Sequence, residues 1–249
     1  MMATRAPSGF EQTRAQFEAP VSRFEAQRER LTTYFDSTAR KAWIDLTSDV
    51  KVSGIRATVR AGRDAMRDVL LHWLPSDLRR TRVLDAGCGT GALSVLAARR
   101  GAEVVAVDVA GGLVAIGKER QPSFLGHGKI DWRVGDMLDP AHGRFGHVVA
   151  MDSLIHYRPA DIVSTLVALA ARTDHSIVFT FAPATPLLRA MHTTGLLFPR
   201  KDRAPAIVPV SEAHLVRLLR EALPEWTVAR SQRISRGFYI SNALELVRH

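Results

Sequence analysis

The stretch T-R-V-L-D-A-G-C-G-T-G, residues 81–91, decides how this chain is read. Arg82 to Asp85 forms a short strand-like run. Gly87, Gly89 and Gly91 follow at alternate positions, with Cys88 between the first two, and a helix-forming segment begins near Ala92. Glycine permits the positive-φ turns of a tight bend and lets the backbone come close to a ligand. Free N–H groups at the start of the following helix can meet polar ligand atoms. A buried strand, a glycine turn and a helix in that order predict an α/β fold that gathers its ligand at the carboxyl ends of its strands.

The segments downstream extend that pattern. Ala92 to Arg100 suits a helix ended by Gly101, and E-V-V-A-V-D, residues 103–108, suits a strand covered on both faces. Asp108 closes that strand as an acceptor for the two hydroxyls of a ribose, and its charge argues against a 2′-phosphate. Val109 to Arg120 fits a helix weakened by Gly111 and Gly112. A third strand, Ile130 to Val134, runs into Gly135-Asp136-Met137. There Asp136 can accept a hydrogen bond from the exocyclic amine of adenine, and Met137 can pack on the ring face. A Gly-Asp pair alone is an ordinary turn; its position after two matching strand ends gives it meaning.

A fourth strand, His147 to Met151, brings Met151 to the same edge, followed by D-S-L-I-H-Y at 152–157. From the residues alone, His156 reads equally as a polar pocket residue or as a satisfied structural histidine. Pro159 suits the first turn of a helix running to Arg172, and His175 to Phe181 forms a fifth strand. Residues 183–210 read as an insertion with an amphipathic segment near 187–198, either a lid or ordinary packing. Ser211 looks like an N-cap for a helix from Glu212 to Leu223. Trp226 to Arg230 and Phe238 to Val247 complete a mostly parallel seven-stranded sheet with one antiparallel strand.

Before the glycine turn lie two helical stretches, Phe24 to Ile44 and a second ending at Pro75. The second carries Arg56, Arg60, Arg63 and Arg67 at spacings of three and four, which reads either as a solvated basic face or as a surface for propionate or phosphate groups. Residues 1–75 hold few large apolar side chains, so they are expected to be a helical cap and substrate-recognition segment. The expected cofactor-binding domain is 76–249, including the insertion.

The 249 residues carry a formal charge of +9 with 46% hydrophobic content. That balance favours an anionic partner: an acidic small molecule, an anionic lipid surface or nucleic acid. The usual zinc-finger and RNA-binding aromatic signatures are missing, which makes nucleic acid the weaker choice. Cys88 is the only cysteine, so an internal disulfide and a four-cysteine zinc site are excluded. Without an apolar run of bilayer length or a signal-peptide core, the default expectation is cytoplasmic.

With Asp85 two residues before the first glycine, L-D-A-G-C-G-T-G resembles motif I of class I S-adenosylmethionine (SAM)-dependent methyltransferases, one residue short of the dinucleotide spacing. That resemblance implies SAM as cofactor and S-adenosylhomocysteine (SAH) as product. In it, Asp85 organises the motif and meets the positively charged amino-acid end or its bound water. Further segments, Y-F-D-S-T-A-R-K-A-W (34–43), V-S-G-I-R-A-T-V-R-A-G-R-D-A-M-R (52–67) and M-D-S-L-I-H-Y (151–157), make the chain similar to the magnesium protoporphyrin IX O-methyltransferases of (bacterio)chlorophyll biosynthesis. The resemblance spans nearly the whole chain. Ala-Arg-Lys-Ala-Trp after Thr38 departs from the aromatic and glycine residues frequent in relatives, which puts the local porphyrin contacts in doubt.

This family resemblance implies methyl transfer to one propionate of Mg-protoporphyrin IX, giving the monomethyl ester. It implies roles in activity for Tyr34 and His156, which match the family's tyrosine and histidine, and orienting the carboxylate suits both better than acting as a base. A contact from His156 to the porphyrin magnesium is chemically allowed. The resemblance also implies proximity to the porphyrin-bound large subunit of magnesium chelatase, and the charge suits peripheral attachment to an anionic membrane. Two other functions compete: an RNA-modifying methyltransferase, which predicts salt-sensitive RNA binding, and a noncatalytic SAM-binding component of a pigment complex, which predicts no methyl transfer.

Overall fold

Valine-rich strands with both faces covered form the centre of the molecule. The computed structural model describes residues 54–185 and 207–249. Its elements run α1 (Gly54–Trp73), β1 (Arg82–Ala86), α2 (Ala92–Arg99), β2 (Glu103–Asp108), α3 (Gly111–Glu119), β3 (Lys129–Val134), β4 (Phe145–Ala150), α4 (Pro159–Ala170), β5 (Thr173–Phe181), α5 (Glu212–Ala222), β6 (Trp226–Arg236) and β7 (Tyr239–Arg248). They build one seven-stranded sheet in the order β3-β2-β1-β4-β5-β7-β6. The pairs among β1 to β5 are parallel, and β7 runs antiparallel to both β5 and β6. The expected sheet, with its single reversed strand, is therefore the observed one. The order reverses between β1 and β4, the switch point at which such sheets open a crevice.

Alternation along the strands splits the core in two. Leu84, Val105, Val107, Val148, Ile177 and Phe179 face one side with Leu166 of α4 and Leu215 of α5. Val83, Val104, Ala106, Val149 and Val178 face the other, with Met66 and Leu70 of α1 and Ala97 of α2. The helix before the glycine turn thus shares the sheet's own core, although it precedes the expected boundary at residue 75. Arg230 of β6 reaches back to it, donating to the Trp73 carbonyl at 2.9 Å.

Two local expectations differ from the structure. β6 is eleven residues long, with its second half exposed; S-Q-R-I-S-R lacks the apolar alternation that marks a strand because it lies on the sheet's outer edge. Ser211 occupies the N-cap position of α5, but its side chain makes no capping hydrogen bond. The helical stretch from Phe24 to Ile44, Tyr34 within it, and the amphipathic part of the insertion lie outside the described residues.

The described residues that flank both undescribed segments lie at the same end of the sheet. A bridge between Pro183 and Val210 joins the ends of the insertion just beyond β5, with Val210 donating to Ala182 at 2.8 Å. The first turns of α1 lie against the β6–β7 hairpin, where a Cβ on Gly237 would come within 2.6 Å of Thr58 Oγ1. That hairpin lies at the end of the sheet to which β1 through β5 point their carboxyl termini.

Candidate active site

The glycine turn leaves β1 and is tied to β2 before α2 begins. Gly87 N–H and Cys88 N–H both donate to the Val107 carbonyl, at 2.8 and 3.0 Å. Gly89 N–H donates to Asp108 Oδ2 at 2.8 Å. The three glycines have φ of +82°, +54° and +75°, so the turn uses the left-handed conformations that side chains disfavour. At two of them packing within the protein reinforces the requirement. A Cβ on Gly87 would fall 2.4 Å from Ser153 Cβ, and one on Gly91 would fall 2.1 Å from the Trp132 ring. The same indole lies against Gly117 of α3 and donates to Gln121 Oε1 at 2.8 Å. Trp132 is a site-shaping residue that sequence reasoning missed, because one tryptophan in a strand carries no local signal of its partners.

Asp85 sits beneath the turn, 2% exposed, and accepts a 2.5 Å hydrogen bond from the Ser94 hydroxyl of α2. Burial pushes its carboxyl up to about 6; the charge of Asp108 adds to the rise and the Ser94 hydrogen bond opposes it. Cys88, half-buried in the turn, has its thiol pushed up by burial and by Asp85 and Asp108, so it is not an activated thiolate.

Asp108 is held from both sides. Beyond Gly89, its Oδ1 accepts from Ala110 N–H at 2.9 Å. Each carboxylate oxygen carries two lone pairs and can accept more than one hydrogen bond. Its carbonyl accepts from Gly135 at 3.0 Å, which links the end of β2 to the Gly135-Asp136-Met137 turn. That turn is braced in its own right. Asp136 Oδ1 accepts from Leu138 N–H at 2.9 Å, and Arg172 donates to the Met137 and Asp139 carbonyls. His142 lies 2.9 Å from Arg133 Nη1 through Nδ1 and 2.8 Å from the Asp136 carbonyl through Nε2. An arginine only donates and a carbonyl only accepts, so His142 is the neutral tautomer protonated on Nε2.

On the other side of the crevice, the turn after β4 carries Met151 to Tyr157. Leu154 and Tyr157 are buried in the core below it. The Ile155 carbonyl accepts from Val208 N–H at 2.9 Å, joining the turn to the returning end of the insertion. Met151 and His156 are half-buried between these anchors. Ser153 packs on Gly87, so the glycine turn and the His156 turn share a wall. The structure brings together Asp85, Gly87, Cys88, Gly89, Gly91, Asp108, Asp136, Met137, Met151 and His156 on the carboxyl side of the sheet.

The arginine stripe of α1 divides in a way its spacing did not reveal. Arg67 pairs with Asp64 one turn earlier at 2.9 Å. Arg63 turns inward, its Nε 3.1 Å from Asp152 Oδ2, and Tyr239 of β7 donates to Asp152 Oδ1 at 3.0 Å. Asp152 is therefore neutralised inside the protein.

Known proteins share this fold and much of this sequence. Residues 150–248 match the family model described as magnesium-protoporphyrin IX methyltransferase C-terminus, and residues 83–173 match a general methyltransferase domain. The chain is 51% identical over 219 residues to the magnesium-protoporphyrin O-methyltransferase of Rhodobacter capsulatus, covering 88% of this chain and 95% of that protein. To the Synechocystis enzyme of the same name it is 30% identical over 217 residues, covering 86% and 94%. Its fold is similar to the crystal structure of magnesium protoporphyrin IX methyltransferase from Synechocystis PCC 6803 with bound SAH: TM-score 0.77, 28% identity, 89% of this chain and 99% of that one.

Proposed function

Because the chain belongs to the magnesium-protoporphyrin O-methyltransferase family, we propose that it is a SAM-dependent enzyme that methylates a propionate carboxylate of Mg-protoporphyrin IX, giving the monomethyl ester and SAH, with His156 and Tyr34 orienting the acceptor. The observation that carries this reading is the shared wall of the crevice, where Ser153 of the His156 turn packs on Gly87 of the cofactor turn.

The residues present fit SAM part by part. The positive-φ glycines turn the backbone tightly between β1 and α2, at the ligand edge of the sheet. Asp108 offers acceptors to a ribose, while Asp136 and Met137 line the place for adenine. When bound, SAM supplies a sulfonium-activated methyl group. A propionate is already ionised near neutral pH, so no residue need remove a proton. The chain's task is to desolvate the carboxylate and hold one of its oxygens in line with the methyl–sulfur bond. A half-buried His156 beside the cofactor turn suits that task. Asp152 does not compete as a base, since Arg63 and Tyr239 engage its carboxylate.

The N-terminal segment and the 183–210 insertion form the rest of the acceptor pocket in this reading. Both leave the folded sheet at the crevice edge, which supports a helical cap and a lid. The +9 charge supports two further partners, the porphyrin-bound large subunit of magnesium chelatase and an anionic membrane. No helix among the described residues is long and apolar enough to cross a membrane.

The direct test is incubation of the purified protein with SAM and Mg-protoporphyrin IX. The expected result is one SAH formed per monomethyl ester. A folded, SAM-binding protein that yields no ester overturns the reading.

The raised carboxyl of Asp85 gives a second expectation. Below about pH 6 the folded chain holds a proton on Asp85 that an unfolded chain, with its ordinary carboxyl at 3.8, releases until lower pH. The contribution of this group to stability therefore rises as pH falls from about 6 to about 4, and is lowest above pH 6. A cationic amino-acid end next to Asp85 favours the ionised form instead. SAM affinity should then be flat above pH 7 and fall by about tenfold per pH unit well below the midpoint, as one linked proton requires. Calorimetric titrations across pH 5–8 check this, and Ser94→Ala should move the midpoint upward by removing a hydrogen bond to the ionised carboxylate.

A further inference from the structure

Asp152 stands in the left-handed region, with φ +57°, where non-glycine residues rarely rest. Three elements hold it there. Its N–H donates to Thr180 Oγ1 of β5 at 2.8 Å, and its carboxylate meets Arg63 of α1 and the Tyr239 hydroxyl of β7. The Asp152 side chain is 8% exposed and that of Arg63 19%, so the pair is sheltered from water. Burial, with the neighbouring Asp152 charge, pushes the Tyr239 phenol well above its ordinary range. Tyr239 is therefore a hydrogen-bond donor at every pH at which the enzyme works.

The packing around the cluster is equally specific. A Cβ on Gly62 would come within 2.6 Å of the Tyr239 side chain, so the glycine immediately before Arg63 lets α1 approach β7. On the other side of Asp152, the chain passes at once to Ser153, pressed on Gly87, and then to His156. The Ser153 hydroxyl is buried with no hydrogen-bond partner among the described residues. The start of this turn is thus shaped by what surrounds it more than by bonds of its own.

We propose that Arg63, Asp152 and Tyr239 form a positioning clamp that fixes the direction of the turn bearing His156 and couples it to α1, the helix that follows the N-terminal segment. The clamp acts on methyl transfer through His156 and touches neither substrate. This rests on the reading of His156 as the residue that orients the acceptor carboxylate. Arg63 is then a structural cation of the turn.

Two small changes test the clamp. Tyr239→Phe removes one hydroxyl. Asp152→Asn removes the charge while keeping a side chain that tolerates the left-handed conformation. Each is made alone and together with His156→Ala in the full chain, with kcat, the KM for Mg-protoporphyrin IX, the SAM Kd and thermal unfolding measured. Each single change is expected to lower kcat about tenfold, as misplacement of an orienting group does, with SAM Kd within about twofold of wild type. In the His156→Ala background the same change should cost less than about twofold more, because residues acting through one another are not additive. Losses that multiply in full, or single variants with wild-type kcat, overturn the clamp and leave the role of His156 standing. If His156→Ala itself keeps wild-type kcat, the role of His156 falls and the clamp falls with it. Should Asp152→Asn unfold, the Tyr239→Phe pair decides alone.

Discussion

Asp108→Ala is expected to weaken SAM binding by about 10²- to 10⁴-fold, because hydrogen bonds to a charged acceptor contribute roughly 1.5–3 kcal/mol each and a ribose offers two hydroxyls to this one carboxylate. The carboxylate is pre-positioned: Gly89 and Ala110 hold its two oxygens at 2.8 and 2.9 Å before any ligand arrives. Alanine removes the acceptors and also the tie between the end of β2 and the glycine turn, so the turn loses a constraint on its shape. Asp108→Asn keeps one acceptor oxygen and should fall between alanine and wild type. Calorimetry with SAH measures the loss, and thermal unfolding of the free protein separates it from damage to the fold. An alanine variant that binds SAH within threefold of wild type would place the ribose elsewhere and sink the assignment of Asp108.

His156→Ala is expected to have the opposite signature. Its kcat for ester formation should drop about 10²-fold, the size of effect that an ångström of misplacement produces in an oriented reaction. SAM Kd should stay within about twofold, since the cofactor turn keeps its ties to Val107 and Asp108. The variant should remain folded, because Leu154 and Tyr157 anchor the turn from below and Val208 ties it at Ile155. The pH dependence separates orientation from base catalysis: an orienting histidine leaves the substrate carboxylate ionised across neutral pH, so replacing it lowers the rate without creating a requirement for high pH. Parallel losses in kcat and in SAM affinity would instead move His156 to the cofactor half of the crevice. Tyr34, which lies outside the described residues, is expected to behave as His156 does when changed to Phe.

The parts of this protein that were legible in the sequence are those whose physics is local. A valine run covered on both faces identifies a parallel strand, and strands β1 to β5 lie where their runs placed them. Glycines at alternate positions after such a strand mark a turn with left-handed conformations, and Gly87, Gly89 and Gly91 adopt them. An acidic residue at a strand end is legible for the same reason: chain direction alone carries it to the crevice. Asp108 and Asp136 needed no knowledge of distant partners. The second half of β6 was not legible, because an edge strand exposed to water has no apolar face to display.

The arginines of α1 show where local reading stops. A spacing of three and four residues determines that Arg60, Arg63 and Arg67 lie on neighbouring helix positions, and from that alone a solvated face and an anion site are equally well described. What separates Arg63 from Arg67 is a carboxylate on the turn after β4 and a hydroxyl at the start of β7, both remote in the chain. Gly62 lies inside α1, and the Tyr239 side chain against it supplies the reason for a glycine there.

The amino-acid sequence by itself determined the parallel sheet and the cofactor turn, because strand burial and glycine conformation each depend on a few adjacent residues, and the resemblance of its glycine motif implied the class of reaction. The tertiary structure alone decided that Asp152 is paired with Arg63 and Tyr239, that Trp132 fills the space Gly91 leaves, and that helix α1 is joined to the turn bearing His156. Those outcomes depend on which distant groups share a water-poor space, where an unpaired charge is costly and a single Cβ is too large. Neither condition is written in any local pattern.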